Sequence, residues 1–311
     1  MELQQMRYVI AVAETRSFTR AAERCLVVQS ALSHQVARLE KELGARLFER
    51  TSRRVRLTPA GAAFLPAARQ CLEAAGRAAA EVAAAVGEVR GRLTVGLIPT
   101  VAAVDIPGAL RDFRRRHPAV RVGLRVGASE ELVEQVAEGT LDLAFLGLPT
   151  TARPHGVHGR ELARDRLVAV VAPDHPLAGE RSVGLRRLSP EVFVDLPPDT
   201  AGRTQSDQAF AAAGLAREVA FEVTTADSLM ARLVGEGLGI ALLPSAYAPR
   251  LTGVVTVEVT DAPTRVEYVV WSRAGRTPAA TAFLTSLGIP DAPADDTGRE
   301  VGTEADDSVG E

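Results

Sequence analysis

The 311-residue sequence is poor in cysteine, in aromatic residues and in lysine. Its two cysteines, Cys25 and Cys71, both fall in the first quarter of the chain. That excludes a disulfide framework of the kind that staples small secreted domains. It also argues against a peroxide sensor that switches by pairing cysteines in its C-terminal region. Cys25 stands among apolar helix positions and reads as a buried structural thiol, while Cys71 lies where it could approach its mate in a dimer. No apolar run approaches the roughly 20 residues needed to cross a bilayer. The start, MELQQMRYVIAVAETRSF, lacks the basic segment and long apolar core of a signal peptide, so a cytoplasmic protein without a membrane partner is expected. Signatures of catalysis are missing too. There is no G-x-S-x-G, P-loop or H-E-x-x-H. His155 and His158 form an H-x-x-H on a Pro/Gly-bounded loop, which reads as solvated rather than metal-ligating. Gly235-Glu236-Gly237-Leu238-Gly239 ends a helical pattern and precedes a strand, the reverse of a dinucleotide fingerprint. No enzyme, cofactor or metal is expected.

With 46% hydrophobic and 24% charged residues, the chain has enough material for two or three globular domains. Its most organised stretch is Ser17 to Gly44. Phe18, Ala21, Ala22 and Cys25 form one apolar stripe at helical spacing, and Leu32, Val36, Leu39 and Leu43 form another. Only Leu26-Val27-Val28 separates them, so the two helices must cross steeply. A preceding helix, Leu3 to Glu14, offers Leu3, Met6, Val9, Ile10 and Ala13 as a third face. This is the pattern of a helix-turn-helix, whose second helix can enter a DNA major groove. Opposite Leu32 lie Ser30 and His34, flanked by Gln29, Ser33 and Arg38. Gln pairs with adenine, Arg with guanine and Ser with either. On periodicity alone the same face reads equally well as a solvated one.

Leu47 to Thr58 reads as two short strands around a basic turn, a wing whose Arg50, Arg53, Arg54 and Arg56 can lie along phosphates. Residues 1–58 hold eleven Arg/Lys and six Asp/Glu, a net of +5 in a chain whose total is −3. A basic block at one end of a mildly acidic protein is the footprint of a nucleic-acid-binding module.

Through SFTRAAERC and QSALSHQVARLEKELGARLFERTSRRVRLTPAG the sequence resembles the winged helix-turn-helix of the LysR-type transcriptional regulators. The resemblance implies an α/β fold class with three parts: the winged helix-turn-helix, a long dimerising linker helix, and a two-lobed α/β effector domain resembling the periplasmic binding proteins. It implies contacts to double-stranded operator DNA by Thr19, Gln29, Ser30, Ser33, His34, Arg38, Arg50, Arg53 and Arg54. It further implies a small-molecule effector, often a carboxylate, and a homodimer or homotetramer. Three residues depart from the family pattern: Val28 replaces a capping Ser or Thr, His34 an Arg, and Cys25 a Leu. A lost N-cap costs about 1 kcal/mol, part of which Ser30 could offset.

Domain limits follow the changes of pattern: 1–58 for DNA binding, 59–89 for the linker helix, 90–289 for the effector domain and 290–311 for a tail. In the linker, Ala63, Phe64, Ala67, Cys71, Ala74, Ala75, Ala78, Val82 and Val86 recur at three- and four-residue steps, an apolar stripe best covered by a second copy. Beyond Arg92, apolar runs alternate with helical segments, predicting parallel sheets in two lobes, 92–163 with 267–289 and 164–266. APDHPLAG (172–179) and VGEGLGIALLP (234–244) are the most family-like stretches there. A helix is expected from Thr100 to Arg116 and a strand from Leu167 to Ala172. The tail carries eight acidic residues and one Arg and is expected to be disordered.

Ligands of open α/β sheets sit beyond the carboxyl ends of the strands, near helix N-termini. If the lobes face each other, Thr100, Val101, Ser129, Thr200, Ala201 and Thr225 converge there. The resemblance points to Thr100, Ser129 and Thr200, and more weakly to Thr225 and Ser245. Each alone reads equally well as a helix cap. The alternative for the whole chain is a small-molecule-binding protein without DNA-binding activity.

Overall fold

The computed structural model describes residues 1–50, 55–198 and 200–289, Arg50 through its backbone alone. Arg53, Arg54, the Arg50 side chain and the tail 290–311 lie outside the described residues.

Three helices open the chain: α1 (Leu3–Thr15), α2 (Phe18–Arg24) and α3 (Gln29–Leu43). The Ser17 hydroxyl caps α2 by accepting from the Arg20 amide. Leu26, at φ 56°, turns the chain between the helices, and Gly44 ends α3 in the left-handed conformation. Leu32, Val36 and Leu39 are fully buried against Val9, Val12, Phe18, Ala21 and Ala22. Two stripe ends differ from expectation, because Leu3 is 42% and Leu43 40% exposed. On α1, Tyr8, Ala11 and Val12 are buried instead, because α2, α3 and the linker helix all pack on it. Cys25 is half-buried at the rim of this core. Val28 occupies the N-cap of α3 and no side chain caps that end, so Ser30 does not take over the role.

The wing pairs β1 (Phe48–Arg50) with antiparallel β2 (Val55–Leu57). It is anchored by Phe48, edge-on to Phe18 at 5.8 Å, and by the Glu40 carboxylate, which accepts from the Leu47 and Phe48 amides at 2.8 and 3.1 Å. Thr58 caps α4 (Pro59–Ala85) by accepting from Gly61. Gly61 is needed because a Cβ there would lie 2.1 Å from the Leu47 carbonyl oxygen. At 27 residues, α4 spans about 40 Å.

The rest runs β3 (Gly91–Leu97), α5 (Ile106–Arg116), β4 (Val120–Val126), α6 (Ser129–Ala137), β5 (Leu143–Pro149), β6 (Val157–Val171), β7 (Ser182–Val183), α7 (Leu185–Leu188), β8 (Val192–Asp195), α8 (Ala201–Ala212), β9 (Glu218–Glu222), α9 (Ser228–Gly235), β10 (Ala241–Pro244), β11 (Val255–Val259), β12 (Thr264–Ser272) and α10 (Pro278–Ser286). The main sheet is mixed, in the order β4-β3-β5-β12-β6-β11-β7 with β10 also on β6. Its β4-β3-β5 part is parallel as expected. β12 runs antiparallel to both β5 and β6, which departs from all-parallel lobes. The strand expected at Leu167 begins ten residues earlier, at Val157. Its first part pairs with β12 and its last part with β10 and β11. One strand thus serves both lobes, each with its own buried core. The helix expected from Thr100 begins only at Ile106, leaving residues 100–105 as a loop.

Candidate nucleic-acid interface and effector cleft

The helix-turn-helix presents one polar face. With Leu32, Val36 and Leu39 inward, the 100° step per residue turns Gln29, Ser30, His34 and Arg38 outward, and all four are exposed. Ser30, His34 and Arg38 have no side-chain partner among the described residues. Gln29 Nε2 donates to the half-buried Ser33 hydroxyl at 3.0 Å, holding the amide along the helix. Thr19 is exposed on α2. Leu26 and Val28, 92% and 69% exposed, stand beside Gln29. Sequence reasoning left them in the turn, where apolar side chains usually point inward.

The linker-helix residues buried within the chain are Gly61, Ala68, Ala80 and Ala83, none of them in the expected stripe. Within that stripe Phe64 and Ala75 are half-buried. Ala67, Cys71, Ala74, Ala78, Val82 and Val86 are exposed at three- and four-residue steps. They form one apolar seam with no covering segment among the described residues.

Between the lobes the expected residues are placed as follows. Thr100 and Val101 are buried in the loop after β3. Ser129, at the first turn of α6, exchanges hydrogen bonds of 3.2 Å with both the amide and the carbonyl of Gly147. Thr200 precedes α8 and donates to the Pro197 carbonyl at 2.8 Å, and Ala201 packs into the core of the first lobe. Gln205, one turn on, donates to the Thr264 carbonyl at 2.6 Å. These residues therefore meet around β5 and β12. Thr225 is half-buried beside Ala226, whose carbonyl accepts from the Tyr247 hydroxyl. Ser245 donates to Asp165, at the point where β6 passes from one lobe to the other. Among the described helices, none of these side chains acts as an N-cap: α5, α6, α8 and α9 have Asp105, Ala128, Thr200 and Asp227 at that position, and only Asp227 makes a side-chain cap bond.

Three charged residues that sequence reasoning passed over organise this region. Arg265 and Glu267, two apart on β12, are 4% and 2% exposed and form an ion pair. Arg265 also donates to the Thr100 hydroxyl at 2.8 Å and to its carbonyl at 3.0 Å. The Glu267 carboxylate accepts from the Ala102 amide at 3.1 Å and from Ala103 at 2.9 Å. Arg250, from the other lobe, donates to the Val101 and Ala102 carbonyls at 2.8 and 3.2 Å. Gly147 makes room, since a Cβ there would lie 2.9 Å from Arg265 Nη1. Burial pulls the Arg265 guanidinium below its usual range, and Glu267 opposes that shift. The available signal was a pair of charges inside TRVEYVVWS, an otherwise apolar strand.

Both halves match family models. Residues 3–62 match the bacterial regulatory helix-turn-helix proteins of the lysR family, and residues 87–288 match the LysR substrate binding domain. The chain belongs to the LysR family. It is a DNA-binding transcriptional regulator with an effector-binding domain, the two parts that these family models describe. LysR-type relatives include a probable hydrogen peroxide-inducible genes activator of Mycobacterium avium, 35% identical over 244 residues and 78% of each chain. The transcriptional dual regulator GltC of Bacillus subtilis is 32% identical over 83% of this chain and 86% of its own. Among solved structures, full-length CbnR complexed with its target DNA superposes with a TM-score of 0.71, at 27% identity over 93% of this chain and 99% of that one. A full-length OxyR variant from Pseudomonas aeruginosa gives 0.66, at 25% identity over 94% and 96%. Among the described residues, no helix of this LysR-family chain is long and apolar enough to cross a membrane.

Proposed function

We propose that this LysR-family chain is a cytoplasmic, non-enzymatic homodimer or tetramer that reads operator DNA with α3 and responds to a small molecule between its lobes. The observation that carries the reading is the row of exposed polar side chains on α3, three of them unpartnered, set on a rigid apolar floor. Gln29, Ser30, Ser33, His34 and Arg38 address base edges, and Val28 and Leu26 offer apolar contact to thymine methyls. Thr19 and the wing arginines Arg50, Arg53 and Arg54 address phosphates. His34 cannot make the bidentate guanine contact of an arginine, so this chain differs in base preference at that position.

The seam of Ala67, Cys71, Ala74, Ala78, Val82 and Val86 is the dimer contact. Small side chains let two copies of α4 approach closely, setting the paired recognition helices about 34 Å apart, one DNA turn. An effector enters between the loop at Thr100 and Val101 and the start of α8 at Thr200 and Ala201, beside Ser129, with Thr225 and Ser245 at the periphery. Residues 87–288 contain no cysteine, so effector sensing here does not run through a disulfide in that domain, in contrast to what a redox switch would need.

Operator affinity measured across salt tests the reading. Neutralised phosphates release counterions, so log K should fall linearly with log salt. A flat response would favour a small-molecule-binding protein whose basic module serves assembly alone. Val82→Glu should convert the assembly to a smaller species by light scattering, and an unchanged mass would remove α4 from the interface.

A further inference from the structure

Hydrogen bonds within the chain bridge the lobes. The loop Thr100–Ala103 is held from three directions: its amides at Ala102 and Ala103 by Glu267, its residue Thr100 by Arg265, and its carbonyls at Val101 and Ala102 by Arg250 of the other lobe. Two backbone N–H groups and a guanidinium converging on one carboxylate is how a protein seats a free organic acid. Here the acid is part of the chain.

We infer that Glu267 is a built-in ligand, whose carboxylate fills the anion seat made by the Ala102 and Ala103 amides and Arg265. The effector of this chain therefore sets an uncharged group, rather than a carboxylate, against this seat. The inference rests on the proposed reading of the cleft as the effector site. A second carboxylate placed on the same amides would face the Glu267 charge at close range, and two carboxylates do not share one seat in their ionised forms. The polar group left over is Arg265 Nε, buried and without a hydrogen-bond partner among the described residues. A single N–H donor is matched by a neutral carbonyl or hydroxyl oxygen. Ala102 links the two functions, since its amide faces Glu267 and its carbonyl faces Arg250. The internal anion fixes the conformation through which the lobes touch, so the regulator holds its lobes together before any effector arrives.

The test follows the thermal unfolding midpoint of the full-length protein in sodium acetate and in sodium chloride at matched ionic strength. The wild type should show the same midpoint in both salts. Glu267→Ala empties the seat; its midpoint should fall by several degrees and rise saturably with acetate, because a ligand that binds only the folded state stabilises it. Where Glu267→Ala fails to fold, Glu267→Gln decides. It keeps the size but not the charge, so it should unfold several degrees lower and ignore acetate. A saturable acetate response in the wild type overturns the proposal, as does a folded Glu267→Ala indifferent to acetate, or a Glu267→Gln with the wild-type midpoint. Failure of the underlying reading looks different. Acetate would then restore the Glu267→Ala midpoint yet leave its affinity for a duplex selected on the wild-type protein unchanged.

Discussion

On α3, Gln29, Ser30, His34 and Arg38 stand in solvent above Leu32, Val36 and Leu39, which are fully buried. Between the lobes, Thr100, Arg265 and Glu267 are 5%, 4% and 2% exposed and bond to one another. The first arrangement leaves donors and acceptors free for a partner that comes from outside. The second satisfies nearly all of them internally, so a partner must fit around bonds already made. The same contrast separates what each side chain does for stability. An exposed polar group over a packed floor is nearly neutral to folding. A buried ion pair is a different case, because removing one member strands the other in a poorly solvated site.

Four substitutions break or sharpen this contrast. Arg265→Met should have the largest effect, about 3–5 kcal/mol lost from the C-terminal lobes, because Glu267 would remain buried without its counter-charge; denaturant unfolding followed at Trp271 measures it. Gln29→Ala should leave that unfolding curve in place and weaken specific DNA binding by about 1–3 kcal/mol, with relaxed preference at one base pair. Equal losses on specific and non-specific duplexes would show that Gln29 reads no base. Arg250→Gln removes two charge-assisted bonds from an exposed residue and should cost about 1 kcal/mol, seen as faster hydrogen exchange in the 100–103 loop. Arg38→Ala should likewise leave folding nearly unchanged, within about 0.5 kcal/mol. A larger loss there would mean that the α3 face is part of the core after all.

The helix-turn-helix was legible because its information is local. The stripe through Leu32, Val36 and Leu39 fixes which side of α3 is inward, and the outward residues follow at 100° per residue without knowledge of any distant segment. The expectation failed at the margins, where Leu3 and Leu43 meet solvent and Ile10, Ala13 and Cys25 are half-buried. Strands β3 and β5 were legible as short apolar runs between amphipathic helices, and β4 as the alternation of Val120 to Val126. The first half of β6 was not, because HGRELARD is charged and exposed on one side and carries no apolar run. The loop at 100–105 reads as helix by periodicity, yet its amides go to Glu267 instead of to the next turn.

The sequence by itself determined the helix-turn-helix pattern, its basic charge and the long linker helix, because each is encoded in spacings of three or four residues or in a local excess of charge, while the family was legible through the resemblance carried by SFTRAAERC and the segment from Gln29 to Gly61. Only the tertiary structure decided which groups meet between the lobes. Thr100 meets Arg265, and Ala102 meets both Arg250 and Glu267, across about half the chain, and no periodicity within any one segment records a contact that exists only once β12 has paired between β5 and β6.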